Sequence, residues 1–402
     1  MHIVFKIGIG GGLDSYVRNL SILAKQYAID ISVVLNEPPK DKFYNFPSNI
    51  NVWQLEKGSD IPYYAFKLFE LLRLPIHFGS KLIRREDEYL FLKTLRKIEE
   101  KKSIDIVEVT EGVFINKIIK YWKVVVRAHG SRWSFNNFCG DSKELLDEYL
   151  KIWQRKQHLN AFANFAISRH TRDHLTSELQ LPEDKIKYIP YPIDIKKFQQ
   201  AAPKKINGIC RNGPIILSVG RLEHRKGMDV LVQSMNIVWE KIPNALLVLL
   251  GEPVDFSIND LKKNVPQNCR DLIIHPGFVN YDEIPSYYKA VDLYVSASQY
   301  ETFGYTILEA FSAGKPVIST DRGALPELIK NGYNGFTVPF GDSKRLGDAI
   351  IKILKNDSLK NLFGENSFQI AKKYDVSTFG HKLINSYIEL INQAHPSSHQ
   401  KV

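Results

Sequence analysis

The 402-residue sequence predicts an α/β protein of two domains, each a parallel β-sheet flanked by helices. Three observations predict it. The length is about twice that of a common domain. In both halves short apolar runs alternate with amphipathic stretches, the pattern of parallel strands joined by helical crossovers. Between residues 190 and 214 that periodicity lapses, through Pro190-Tyr191-Pro192, Pro203-Lys204-Lys205 and Asn212-Gly213-Pro214, which reads as a linker.

Five strands are expected in the first half: Ile3 to Ile9, Ile31 to Leu35, Ile104 to Val109, Lys123 to Ala128 and Phe162 to Ile167. Tyr16 to Tyr27 and Leu145 to Leu159 carry helical spacing, the latter with Asp141 or Ser142 as a cap. In the second half the strands are Ile215 to Gly220, Ala245 to Gly251, Leu272 to His275, Leu293 to Ser296 and Pro316 to Thr320. After a break near Tyr374 an amphipathic helix runs from Phe379 to Ile391, with Leu383, Ile384, Tyr387, Ile388 and Ile391 on one side. That apolar face has to be buried, and the first domain is where we expect it.

Hydrophobic residues make up 44% and charged residues 24%, an ordinary globular composition. No apolar run approaches the ~20 residues of a membrane span. Met1 leads directly into a strand-like segment, so no signal peptide is expected and the chain reads as cytoplasmic. Cys139, Cys210 and Cys269 fit reduced thiols and lack metal-site spacing. The net charge of +10 suits phosphorylated substrates or peripheral attachment to the inner face of an anionic membrane. Nucleic acid is not expected, because no zinc-finger or RNA-binding motif accompanies the charge.

Three constellations carry chemistry. Gly8, Gly10, Gly11 and Gly12 follow the first strand and open a helix, where bare backbone N–H groups can approach a phosphate. A dinucleotide fingerprint fails here, since Leu13 or Ser15 stands where its third glycine belongs; Glu37 alone would mimic its acidic ribose ligand. In the second half, strand Ile215 to Gly220 ends in Arg221-Leu222-Glu223-His224-Arg225-Lys226-Gly227, and strand carboxyl ends are where open α/β sheets bind ligands. Arg221 and Lys226 can converge on a diphosphate around that turn. The third is Glu301-Thr302-Phe303-Gly304-Tyr305-Thr306-Ile307-Leu308-Glu309, after strand Leu293 to Ser296. Helix-start amides near Gly304 suit a phosphate, and the two carboxylates suit sugar hydroxyls.

Glu301 and Glu309, seven residues apart with Phe-Gly between them, resemble the double-glutamate motif of retaining GT-B glycosyltransferases, especially family 4. Val219-Gly220-Arg221-Leu222 with Lys226-Gly227, Gly251-Glu252, His275-Pro276-Gly277, Ala310 to Val317 and Gly332 to Val338 agree with it. The first half matches more loosely, through the glycine loop and Arg127-Ala128-His129-Gly130. One departure is Pro190-Tyr191-Pro192-Ile193-Asp194, where the family more often has Asn-Gly before the Ile/Val-Asp pair.

The resemblance implies a GT-B fold: two Rossmann-like domains facing across a cleft, residues 1–195 with 378–402 for the acceptor and 196–377 for the donor. It implies that Arg221 and Lys226 neutralise a donor diphosphate, Glu301 holds the donor sugar and Glu309 the ribose. Amides from Phe303 through Gly304 and Tyr305 to Thr306 contact phosphate and sugar, and Val279 lies against the base. Gly11 and Gly12 close over the diphosphate, and His129 faces the donor sugar. Glu111, Trp133 and Phe135 are candidates for the acceptor, which is a glycan, a lipid-linked sugar or a small molecule. UDP-glucose is the favoured donor. No cofactor is expected, and no metal, since the sequence has no Asp-x-Asp triplet. The alternatives are an epimerase or inverting transferase of the same fold, with Asp14, Glu111 or His129 as base, a dinucleotide oxidoreductase, and a non-catalytic sugar-nucleotide sensor.

Overall fold

The computed structural model describes residues 1–7, 12–36, 46–55, 76–130, 144–205 and 213–394. The chain forms two compact units, Met1–Pro190 with Gly380–Val402, and Tyr191–Phe379. The division falls before Tyr191 rather than after residue 195, and the chain returns at Gly380 rather than 378.

In the first unit the strands are β1 (His2–Ile7), β2 (Asp30–Leu35), β3 (Ile50–Gln54), β4 (Ile106–Thr110), β5 (Lys123–Ala128), β6 (Ala163–Ala166) and β7 (Ile186–Tyr188). They form one sheet in the order β3-β2-β1-β4-β5-β6-β7, and every pair is parallel. Helices α1 (Gly12–Tyr27), α2 (Ile76–Lys101) and α3 (Glu144–Asn160) are the principal crossovers among the described residues. Val4, Val34, Val107, Val109, Val124 and Val126 face Phe91, Leu95 and Ile98 of α2 in a dry core. Parallel strands covered on both faces read as continuous Val/Ile runs, which is why β5 stood out in the sequence.

The second unit holds β8 (Ile215–Val219), β9 (Leu246–Leu250), β10 (Ile273–Gly277), β11 (Leu293–Ser296), β12 (Val317–Thr320) and β13 (Gly335–Val338), in the order β10-β9-β8-β11-β12-β13. Helix α4 (Met228–Lys241) buries Met228, Leu231, Val232, Met235, Val238 and Trp239, a helical stripe at i, i+3, i+4 and i+7. Each such side chain contributes about 1.5–3 kcal/mol, so Leu231→Ala should cost ~2–5 kcal/mol. Further along, α5 (Ile284–Ala290), α6 (Tyr305–Ser312), α7 (Ser343–Leu354) and α8 (Asp357–Ala371) complete the unit.

The stretch read as linker is not structureless. Asp194 accepts the Lys197 N–H and caps a short helix, Ile195–Gln200, which buries Ile195 and Phe198. Beside it the two connecting strands meet: Ile193 N–H donates to Tyr374 O at 2.8 Å and Val376 N–H to Ile193 O at 2.9 Å.

The tail forms helix α9 (Val376–Asn392), and from Gly380 on it belongs to the first unit. A Cβ on Gly380 would fall 2.2 Å from Leu23 of α1. Lys123 Nζ donates to the carbonyls of Leu390 and Ile391, a cation on the last turn of the helix. The buried stripe is Leu383, Ile384, Tyr387 and Leu390. Ile388, expected inside, is 43% exposed.

Candidate functional site

In both sheets the strand order reverses beside the first strand of the unit, between β1 and β4 and between β8 and β11. At such a switch point neighbouring crossovers leave on opposite faces, and a crevice opens outside the strand carboxyl ends. In the second unit the turn after β8 carries Arg221 to Lys226, and the loop after β11 carries Ser298 to Glu301. Topology thus joins two motifs far apart in the chain.

The joint is tight. Gly227 has φ +63, and a Cβ there would stand 2.1 Å from Ala297 O, so only glycine lets the turn settle on the end of β11. Arg225 O accepts the Gln299 N–H at 2.8 Å, and Arg225 Nη1 donates to Tyr300 O at 3.3 Å. Lys226 Nζ donates to Glu301 Oε1, which also accepts from Ser298 Oγ at 2.9 Å. Burial pushes the Glu301 carboxyl up, but the Lys226 and Arg225 charges and the two hydrogen bonds outweigh it and leave its pKa below the usual value. Glu301 is therefore ionised at neutral pH. The side chains of Lys226 and Glu301 are 18% and 17% exposed, so the pair is reachable from solvent.

Arg221 is open as well. Its Nη2 donates to Glu223 Oε1 at 3.2 Å and lies 3.1 Å from Oε2 in an ion pair, while its side chain is 56% exposed. Gly304, at φ +88, turns the chain into α6, whose first-turn amides have no carbonyl of the preceding turn to meet. Phe303 is 6% exposed and packs edge-on against Tyr191, Tyr305 and Tyr374, so its backbone rather than its ring is available to a ligand. Tyr191, the departure noted in the linker, fills this cluster, and Tyr305 Oη donates to Pro192 O at 2.5 Å. Glu309 is 4% exposed. Its Oε2 accepts from Tyr288 Oη at 3.0 Å, and burial together with the Glu309 charge keeps that phenol protonated. Val279 sits half-buried on the loop after β10; His275 Nε2 ties that strand to Gly251 O at 2.8 Å.

In the first unit His129 follows β5, and burial with the nearby Arg127 charge holds its imidazole well below the ordinary range, hence neutral at pH 7. Glu111, considered for an acceptor or a base, is largely buried and bonded inward. Its side chain is 4% exposed, and its oxygens accept from Gly130 N–H at 2.8 Å, Gln154 Nε2 at 2.6 Å and His158 Nε2 at 3.2 Å. It pins the His129-Gly130 turn instead of facing solvent. Gly12 opens α1. Gly8, Gly10, Gly11, Glu37, Trp133, Phe135, Cys139, Asp141, Ser142 and Cys210 lie outside the described residues.

The structure thus brings together Arg221, Lys226, Glu301 and the 303–306 backbone, with Glu309 in the helix that follows. Sequence reasoning missed Glu223, Arg225, Tyr288 and Tyr191. The first two stood inside the quoted motif, but nothing in spacing marked them; Tyr288 gave no signal, since it reaches Glu309 only through the packing of α5 on α6. Among the described residues no helix is long and apolar enough to cross a membrane, and no group of three His, Cys, Asp or Glu could hold a metal ion.

Two Rossmann-like units, the second with a cationic turn facing a glutamate loop at its switch point, define a GT-B architecture. The chain belongs to the glycosyltransferases of group 1: the family Glycosyl transferases group 1 matches residues 199–370, and Glycosyltransferase Family 4 matches residues 10–197. An uncharacterized glycosyltransferase of Methanocaldococcus jannaschii is 28% identical over 267 residues, 62% of this chain and 64% of that one. The match therefore spans just under two thirds of that relative. The fold is shared with sucrose-phosphate synthase from Thermosynechococcus elongatus, at TM-score 0.77 and 20% identity, over 97% of this chain and 98% of the other. It is shared too with Anabaena HepE in complex with UDP and glucose, at TM-score 0.70 and 20% identity, over 97% and 100%.

Proposed function

We propose that this chain is an enzyme that transfers a sugar from a nucleoside diphosphate to an acceptor hydroxyl with retention of anomeric configuration. The observation that carries the reading is the Lys226–Glu301 pair at the switch point, beside the exposed Arg221 and the start of α6. Cations and amides would meet the diphosphate, and Glu301 the hydroxyls of the sugar attached to it. The C1–phosphate bond breaks as the acceptor oxygen bonds to C1 on the same face. The acceptor proton passes to the departing phosphate oxygen, whose charge Arg221, Lys226 and the helix-start amides stabilise. Those groups would supply the positive charge without a divalent cation. Glu309, oriented by Tyr288, is assigned to the ribose, and Glu111 becomes a positioning residue for His129.

UDP-glucose is the first donor to try, since a protein of this fold holds UDP and glucose. The acceptor is a glycan, a lipid-linked sugar or a small molecule, as in polysaccharide or glycoconjugate synthesis. The test is a panel of UDP-, GDP- and ADP-sugars, with and without acceptors, read by release of nucleoside diphosphate, in chelator and without it. The anomeric proton coupling of the product reports stereochemistry. Acceptor-dependent release that survives chelator, with retention, is the expected result. No turnover of any donor, or an inverted product, overturns the proposal.

A further inference from the structure

The cationic turn holds one carboxylate that no step of the proposed reaction uses. Glu223 is 6% exposed, yet it lies between two guanidinium groups. Its Oε1 accepts from Arg225 Nη2 at 2.6 Å and from Arg221 Nη2 at 3.2 Å, and its Oε2 pairs with the Arg221 charge at 3.1 Å. The two arginines differ in what remains. Arg225, 24% exposed, spends its other arm on Tyr300 O, the carbonyl just before Glu301. The Arg221 side chain bonds only to Glu223 among the described residues, and it stays 56% exposed.

A guanidinium has five donors in a rigid fork. A carboxylate that takes one nitrogen of that fork decides where the others point. A carboxylate buried between two cations also removes the repulsion that would otherwise splay them. We infer that Glu223 is a positioning residue for the donor diphosphate: it aims the free edge of Arg221 and, through Arg225, sets the cationic turn against the Glu301 loop. This rests on the donor reading proposed above.

Glu223→Gln tests it. Glutamine keeps the size, loses the charge, and turns a second donor toward one of two arginines that need acceptors. The probes are UDP and uridine, titrated calorimetrically against the full chain. In Glu223→Gln, UDP affinity should fall about tenfold or more, the scale of a charge-assisted hydrogen bond, while uridine affinity and Tm hold. Glu223→Asp should recover part of the loss. Arg221→Ala should weaken UDP too, and the double variant should lose less than the product of the single losses, since one residue acts through the other. If Glu223→Gln binds UDP as the wild type does while Arg221→Ala does not, the inference fails alone. It fails also if UDP and uridine weaken together, or if the two losses multiply in full. Wild-type protein that binds neither UDP nor another nucleoside diphosphate overturns the donor reading, and the inference with it.

Discussion

Each unit carries a cation paired with a carboxylate near the carboxyl edge of its sheet, and the two pairs are built oppositely. Arg127 and Glu108 are 0% and 3% exposed. Arg127 Nε and Nη2 meet Glu108 at 2.7 and 3.1 Å, Nη1 donates to Ile189 O at 3.0 Å, and Tyr16 and Phe165 rings cover the guanidinium at 4.7 and 4.9 Å. Tyr387 of α9 donates to Glu108 at 2.6 Å, and Tyr16 adds a bond at 3.2 Å. Lys226 and Glu301 have solvent on one side and amine protons to spare. A pair sealed and saturated holds elements together; a pair left reachable and unsaturated is available to a ligand. Burial and completeness of hydrogen bonding, rather than residue type, separate the two.

The comparison breaks if the sealed pair proves cheap to remove. Glu108→Ala strands a buried guanidinium and removes the acceptor of Tyr387, so it should destabilise the first unit by ~3–5 kcal/mol in denaturant melts. An effect within 1 kcal/mol would mean that α9 is not held through this network. Next in size is the open pair. Lys226→Ala should cut kcat/KM for the donor about 10- to 100-fold, the scale of ~1.5–3 kcal/mol for a charge-assisted bond, with little change in Tm. A Tm loss as large as that of Glu108→Ala would make it another structural pair. Within the same site Glu301→Gln should lower kcat more than Glu309→Gln, because bonds near the reacting centre strengthen in the transition state.

A third cation sharpens the contrast. Lys6 of β1 is 3% exposed and lies over the Phe91 ring; burial lowers its pKa to about 8, against the pull of Asp87 and Glu88. The unfolded amine, near 10.5, binds more protons than the folded one between pH 8 and 10.5, so stability rises with pH across that window. Lys6→Met should therefore stabilise the chain at pH 7 by up to ~3 kcal/mol, and the gain should fade above pH 8. A gain that does not change with pH would exclude the amine as its cause. The smallest effect belongs to Tyr288→Phe, which removes one hydrogen bond from Glu309. Donor KM should rise about two- to tenfold, for ~0.5–1.5 kcal/mol, with kcat nearly unchanged; a fall in kcat instead would place Glu309 at the reacting sugar.

Much of this was legible in the sequence, because it is local. Alternating apolar runs and helical stripes announced the class, and ten of the expected strands have counterparts. Arg221, Lys226 and Glu301 were readable because each stands in a turn or loop that follows a strand, and Glu309 through its spacing from Glu301. The strands that went unseen, β3, β7 and β13, are all sheet edges. An edge strand is covered on fewer sides, so Ile50–Gln54 is mostly exposed and Ile186–Tyr188 half-exposed, and neither shows an apolar run. Tertiary structure alone decided which charge met which. Lys226 reaches Glu301 across 75 residues only because β8 and β11 are neighbours. The same holds for Tyr288 on Glu309, and for Glu111, which turns inward to the Gly130 amide where the sequence left it facing a substrate. Periodicity is written in consecutive residues, whereas strand order follows from how crossovers pack on both faces of a sheet, and it is strand order that completes the site.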